Sequence, residues 1–290
     1  MQLNAVEVRS LTFQYSGAPE PSLRDINLTL APGEIALLIG PTGAGKSTLY
    51  LALNGLIPNL IRGTMAGSVT IAGMDTGEHG VADIAQKVGI VFQDPETQLF
   101  ALTVEDELAF GPENLGLPKD EIVRRIREAA TIIQLHDLLE REPARLSGGQ
   151  QQTVAIGSVW SMLPEVIILD EPTSNLDPEG SQRVLDLVQR LSRDYGKTIL
   201  IAEHKIDEVA SLADHVFVMD QGRIVLDGSP RQVFGQPARL HELGLAAPAA
   251  TELAYRLLAQ GIELGNSLPL TLAEGLAAFN DLRDRGARAL

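Results

Sequence analysis

The 290-residue chain contains no cysteine, which excludes disulfides and thiolate metal sites as ways of holding it together. Long apolar runs are missing too: none approaches the ~20 residues that a membrane-spanning helix needs. The first residues, Met1-Gln-Leu-Asn, lack the basic and apolar regions of a signal peptide. Basic residues are scarce, with 23 Lys and Arg against 38 Asp and Glu and a formal charge of −15. That balance argues against a bulk electrostatic grip on nucleic acid or anionic lipid. The imbalance is local: residues 231–290 hold six acids and six arginines, so the whole excess lies in residues 1–230. These absences lead to the expectation of a soluble, cytosolic protein. With 44% apolar residues, the chain can bury a substantial core, as one large domain plus a smaller piece.

What is present begins with Gly40, Pro41, Thr42, Gly43, Ala44, Gly45, Lys46, Ser47 and Thr48. This is the P-loop pattern of Gly, four free positions, Gly, Lys, then Ser or Thr. An apolar run, 35–39, leads in, and residues 49–53 continue as a helix would, so a strand holds the loop and a helix N-terminus faces the anion. Gly40, Gly43 and Gly45 let the backbone come close enough for its N–H groups to surround a β-phosphate. Lys46 is then placed to reach the β and γ phosphates, and the Ser47 hydroxyl to bind Mg²⁺.

Around this loop the chain alternates strands and helices. Residues 5–13 and 23–30 read as β-rich segments. Tyr15, after the first, is placed either to stack on an adenine ring or to cap a sheet edge. Residues 54–67 look loop-like, and 69–71 make a short strand ended by Gly73. Residues 88–92 form another strand with Gln93 at its end, where a carboxamide can ligate Mg²⁺ and orient a water. The following segment, 94–116, mixes exposed-looking Leu99, Phe100 and Leu102 with acids, a pattern that either packs under helices or faces a partner. Residues 119–133 are helical, with Ile122, Ile126, Ala129 and Ile133 on one stripe and Arg124, Arg125, Arg127 and Glu128 on a solvated face.

Leu146-Ser147-Gly148-Gly149-Gln150 precedes a helical run over 153–162 and offers a second helix N-terminus to an anion. Then come four apolar residues, 166–169, ending in Asp170 and Glu171, as in a parallel strand buried on both faces. Carboxylates there emerge where ligands sit in open α/β sheets. Beside a P-loop, Asp170 is expected to hold Mg²⁺ and Glu171 to polarise the water that attacks the γ-phosphate. Pro178 starts a helix that Gly196 ends. The strand 198–202 is followed by Glu203-His204-Lys205, and His204 in that position can reach a phosphate. Two short strands, 216–218 and 223–226, flank the hairpin turn Asp220-Gln-Gly222. The texture changes beyond Gly228, and we place a boundary near 230.

In this order, Tyr15, the loop 40–48, Gln93, the segment 146–150, Asp170-Glu171, the loop Ser174-Asn-Leu-Asp177 and His204 make the sequence resemble an ABC-type ATPase over nearly the whole chain. The resemblance implies an α/β fold: a P-loop ABC nucleotide-binding domain with a parallel core sheet, an antiparallel β subdomain and a helical subdomain at about 94–163. It further implies two such domains dimerising head to tail. Each ATP would be held by residues 40–48 of one subunit and by Ser147 and Gly149 of the other, with Asp177 nearby. Glu171 would act as base with His204 on the γ-phosphate; Lys46 and Gln93 complete the expected catalytic set, and Ser47, Gln93 and Asp170 the Mg²⁺ ligands.

A narrower likeness lies in Gln93-Asp-Pro-Glu-Thr-Gln-Leu-Phe100 and in residues 103–116, 54–58 and 248–254. These are similar to the ATPase subunits of energy-coupling factor transporters, including the cobalt, nickel and vitamin uptake systems. That likeness implies a groove around 93–100 for a coupling helix of a transmembrane component. A separate substrate-binding membrane protein would be reached indirectly, with the chain peripheral on the cytoplasmic membrane face. It also implies a small C-terminal α/β dimerisation domain over 231–290, after the ATPase domain of 1–230. The runner-up is the ATPase of a conventional importer served by a binding protein, against which residues 94–116 argue. A soluble ATPase acting on DNA or the ribosome fits less well, because Lys46 and Ser147 lie 101 residues apart with no sustained heptads; no nucleic-acid partner is expected. Two departures stand out. Gln151 and Thr153 replace a basic pair often found after the signature, so a charge interaction with the partner surface is expected to be lost. Asn175 stands where a small residue is commoner.

Overall fold

Strands that are apolar on both faces need cover on both sides, and this requirement sets the architecture. The computed structural model describes residues 3–262 and 267–288. The start, Met1-Gln2, and within the expected C-terminal piece residues 263–266 and 289–290 lie outside the described residues. Numbering strands along the chain, β1 is Val6–Tyr15, β2 Leu23–Leu30, β3 Ile35–Ile39, β4 Gly63–Ile71, β5 Met74–Asp75 and β6 Val88–Val91. They are followed by β7 Val166–Asp170, β8 Thr198–Ala202, β9 His215–Asp220 and β10 Arg223–Gly228. The central sheet runs β10-β9-β3-β8-β7-β6. Its strands are parallel except for β10, which returns antiparallel on β9 through the Gln221-Gly222 turn. Both turn residues have positive φ (45° and 77°), the conformation that matches a tight hairpin to the strand twist.

Alternate residues of each central strand serve different cores. Ile35, Leu37 and Ile39 join the helices on one side, while Ala36 and Leu38 face the antiparallel sheet β2-β1-β4-β5 and the helix α1 (Lys46–Leu53) on the other. The helical side is built from α2 (Val104–Asn114), α3 (Lys119–Ile133), α4 (Gly148–Trp160) and α5 (Pro178–Arg193). Ile126, Ala129 and Ile133 of α3 are buried and Ile122 packs against them. Arg124 pairs with Glu121 (2.7 Å) and Glu128 (2.5 Å) on the outer face. Arg125 departs from that solvated face: its guanidinium turns under and donates to the carbonyls of Ser161 and Met162 (3.2 Å each).

Three expectations change. Residues 63–67 are not loop but the first half of β4, paired with β1 from Tyr15↔Gly63 to Val6↔Ile71. Glycine-rich sequence hides this strand because Gly67 (φ +84°) sits at a register shift, where a Cβ would lie 2.4 Å from the carbonyl oxygens of Arg9 and Ser10. Second, Leu99 of the 94–116 segment is not exposed but half-buried against the core, while the segment supplies helix α2 of the expected helical subdomain, capped by the Thr103 side chain, which accepts from Asp106 N–H. Third, beyond Gly228 the described residues form four helices and no strand: α6 (Pro230–Phe234), α7 (Pro237–Glu242), α8 (Ala249–Leu258) and α9 (Leu272–Arg288). Val233, Phe234, Leu240 and Ala247 sink into the core that the helical layer shares with the central sheet.

Candidate active site

Parallel register decides which residues meet. Leu38 of β3 and Asp170 of β7 both lie level with Ala202 of β8, so the segments leaving these three strands emerge at one edge. From β3 the chain enters the loop 40–45 and then α1, whose first residue is Lys46. Gly45, at φ +108°, caps the helix, and a Cβ there would meet the Ser22 carbonyl oxygen at 2.9 Å. Lys46 Nζ donates back to the carbonyls of Gly40 (2.7 Å) and Pro41 (3.3 Å). Burial pulls its pKa below the ordinary lysine range, opposed by Glu171 and Asp170. Asp170 is shifted the other way: burial raises its carboxyl, Glu171 adds to this, and Lys46 and His204 oppose it.

Glu171 sits in the left-handed region, φ +47°, with its N–H donating to Ala202 O (2.9 Å). Its two carboxylate oxygens are held separately. Gln93 Nε2 donates to Oε2 at 2.8 Å, and His204 Nε2 lies 3.0 Å from Oε1. Gln93, Glu171 and His204, 78 and 33 residues apart along the chain, thus form one contiguous group. A cavity of about 630 Å³ is lined by residues 42–48, Gln93, Asp170, Glu171 and His204. Its remaining wall comes from Glu20, Pro21, Ser22, Arg24, Gln221 and Gly222.

Other predicted residues lie apart from this cavity. Tyr15 stands beside it, its hydroxyl 3.1 Å from Thr48 Oγ1 and its ring edge-on to Phe13. Ser147, Gly149 and Asp177 do not line it. They cluster elsewhere: Ser147 caps α4 in a capping box with Gln150, Asp177 caps α5, and a Cβ on Gly149 would touch Gly180 Cα at 3.1 Å. Gln151 and Thr153 turn inward rather than toward a partner. Gln151 Nε2 donates to Pro143 O (3.2 Å) and Thr153 Oγ1 to Gly149 O (2.6 Å), and both are buried. Asn175 faces a smaller cavity of about 250 Å³ that Gln93 and Glu171 also line.

The sequence pattern of the ABC transporter family matches residues 23–174, more than half of the chain. A Pyrococcus horikoshii chain named as an ABC transporter ATP-binding protein is 45% identical over 260 residues, 90% of this chain and 92% of that one. The chain belongs to the ABC transporter family of ATPases. It is also similar to the energy-coupling factor transporter ATP-binding protein EcfA1 of Clostridium novyi, with 38% identity over 98% of this chain and 100% of that one. Among solved structures, CbiO1 from Clostridium perfringens, part of the ABC transporter complex CbiONQ, matches with a TM-score of 0.73. That match has 35% identity and covers 83% of this chain and 94% of that one. The ABC chain described here is accordingly an ATP-binding, ATP-hydrolysing subunit of a transporter.

Sequence reasoning missed the far wall of the ABC chain's cavity, residues 20–22, Arg24 and 221–222. The Asp220-Gln-Gly222 turn was visible, but nothing in it pointed to the loop 40–45; the link is Gly222 N–H donating to Ala44 O (2.9 Å). Tyr50 was missed as well. It lies on α1, buried, its hydroxyl without a partner among the described residues, and burial with Asp170 and Glu171 raises its pKa.

Proposed function

We propose that this chain powers an energy-coupling factor importer for a micronutrient, a vitamin or a metal ion, through ATP-driven closure of a dimer. The observation that carries the dimer is the separation just described: Lys46, Gln93, Asp170, Glu171 and His204 share a cavity from which Ser147, Gly149 and Asp177 are absent. A head-to-tail pair brings the second set of one subunit over the first set of the other, so each chain holds two half-sites. Residues 40–48 grip the phosphates of ATP, with Tyr15 beside the base. Ser47, Asp170 and Gln93 would hold Mg²⁺. These are hard oxygen donors, and two or three of them with substrate phosphates suit that ion. An Mg²⁺ ion held there would neutralise charge on the phosphates. Glu171 takes a proton from the attacking water, and His204 contacts the γ-phosphate.

The transporter class rests on the full-length likeness to EcfA1 and on an apolar groove. Leu56, Val81, Ala85, Phe92, Val159, Met162 and Pro164 line a cavity of about 270 Å³. Phe92 of that lining leads into residues 93–100, where Phe100 is exposed, as is Leu102 just beyond, and Phe100 packs edge-on to Phe110 with centroids 4.6 Å apart. Leu99 packs instead against the core. A coupling helix of a transmembrane component occupies this groove and places the chain peripherally on the cytoplasmic membrane face, with the substrate-binding membrane protein reached through that component. Residues 231–290 act as a dimerisation piece on the ATPase domain 1–230. Exposed Leu253, Leu258, Leu272 and Leu276 on α8 and α9 support this. The test is isolation from native membranes. An energy-coupling transmembrane component should co-purify, whereas a partner set including a soluble substrate-binding protein would assign the chain to conventional importers.

A further inference from the structure

At the end of β8 the chain continues Glu203-His204-Lys205, and the two residues flanking the histidine reach across to another loop. Glu203 is 2% exposed. One of its oxygens, Oε2, accepts from the Thr173 backbone N–H (3.2 Å) and hydroxyl (2.7 Å). The other, Oε1, accepts from the backbone N–H groups of His204 (2.8 Å) and Lys205 (3.2 Å). Lys205 ties the same loops in the opposite sense, Nζ donating to the carbonyls of Thr173 (2.7 Å) and Leu176 (3.4 Å). Leu176 directly precedes Asp177, the cap of α5.

A carboxylate buried this deeply is tolerated only while its hydrogen bonds are made. If the His204 loop moved away from residues 173–176, Glu203 would lose half of its donors and Lys205 both of its carbonyls. Charge-assisted bonds are the costly ones to break, so the two loops shift together or not at all. We propose that Glu203 and Lys205 are positioning residues that lock the His204 loop to the loop leading into Asp177, so that contact of His204 with the γ-phosphate sets the placement of Asp177 at the subunit interface. This rests on the roles given to His204 and Asp177 under the proposed function.

The test uses the full chain carrying Thr173→Val, which removes only the hydroxyl donor, or Lys205→Met, with Thr173→Ser and Lys205→Arg as restoring changes. Glu203→Gln is added if its melting temperature matches the wild type. ATP affinity should stay at the wild-type value while kcat falls about tenfold or more, as expected when a group that orients reacting atoms is loosened. The restoring changes should recover most of that loss. In a Glu171→Gln background, Thr173→Val should also reduce the fraction of chain that ATP drives into dimers, again at unchanged ATP affinity. Wild-type kcat and wild-type dimer fraction in Thr173→Val and Lys205→Met would overturn the coupling. His204→Ala and Asp177→Ala separate the two levels of failure. If these keep full turnover, the roles of His204 and Asp177 are themselves wrong; if they lose it while the clamp variants do not, only the coupling is wrong.

Discussion

Both oxygens of Glu171 are engaged, one by Gln93 and one by His204, so replacing this carboxylate with an amide changes proton affinity far more than shape. Glu171→Gln is expected to bind ATP with wild-type affinity, to lose turnover by about 10²–10⁴ as for a general base, and to accumulate as an ATP-bound dimer. Turnover assays and gel filtration with ATP check this, and unimpaired hydrolysis would refute the assignment of Glu171. Tyr50 lies on the same side of the problem but with the opposite sign. Its hydroxyl is buried without a hydrogen-bond partner among the described residues, a state that costs free energy. Tyr50→Phe should therefore raise stability, by about 1 kcal/mol, seen as a higher urea midpoint at unchanged slope.

At the scale of elements, the site is a consequence of strand register. Because Leu38, Asp170 and Ala202 fall in one row, three loops distant in sequence converge, and a shift of one residue in any of these strands would also turn its apolar faces around. The C-terminal helices show a different kind of attachment. Glu274 at the start of α9 accepts from Leu270 N–H (2.8 Å) and from Arg231 (2.5 Å), and these partners, the backbone N–H first, hold its pKa below the ordinary glutamate range. A lowered carboxylate contributes stability that is present above its unfolded-state pKa and lost as pH falls through the folded-state value. Protection of α8 and α9 in amide exchange, corrected for intrinsic rates, should decline as pH drops below the ordinary glutamate range. In Glu274→Gln the same profile should be flatter and start lower. An identical pH dependence in the two proteins would remove Glu274 from this role.

For the whole molecule, under the proposed function each chain carries two half-sites that a second subunit completes, and the exposed apolar residues are assigned to partner faces. Phe100 and Leu102 are 64% and 81% exposed, so changing both to Asp should leave folding unaffected. Release from native membranes is the expected result, measured by flotation or co-purification, and unchanged association would sink the docking assignment. Leu99 is unsuitable for this test because it packs on the core. Much of the fold was legible beforehand. The runs 35–39, 166–169 and 198–202 each announced a strand, the second of them as one buried on both faces, and α3 and α5 followed from apolar periodicity and the Pro178 start. β4 was not legible through Gly63 and Gly67, since its identity comes from pairing with β1 rather than from its own propensities. The C-terminal piece was expected as α/β, whereas its described residues are helical.

The sequence alone determined the chemistry at hand: a Gly-rich loop before a helix, carboxylates ending an apolar strand, and a family order of motifs. Each of these is local, so short-range spacing suffices to read it. Only the tertiary structure decided who touches whom. It placed Gln93 and His204 on the two oxygens of Glu171, set Ser147, Gly149 and Asp177 outside the shared cavity, turned Gln151 and Thr153 inward, and folded Glu203 and Lys205 onto the loop before Asp177. Such contacts join residues tens of positions apart. They are fixed by parallel pairing and by which face each strand must bury, and neither can be read from a neighbour's identity.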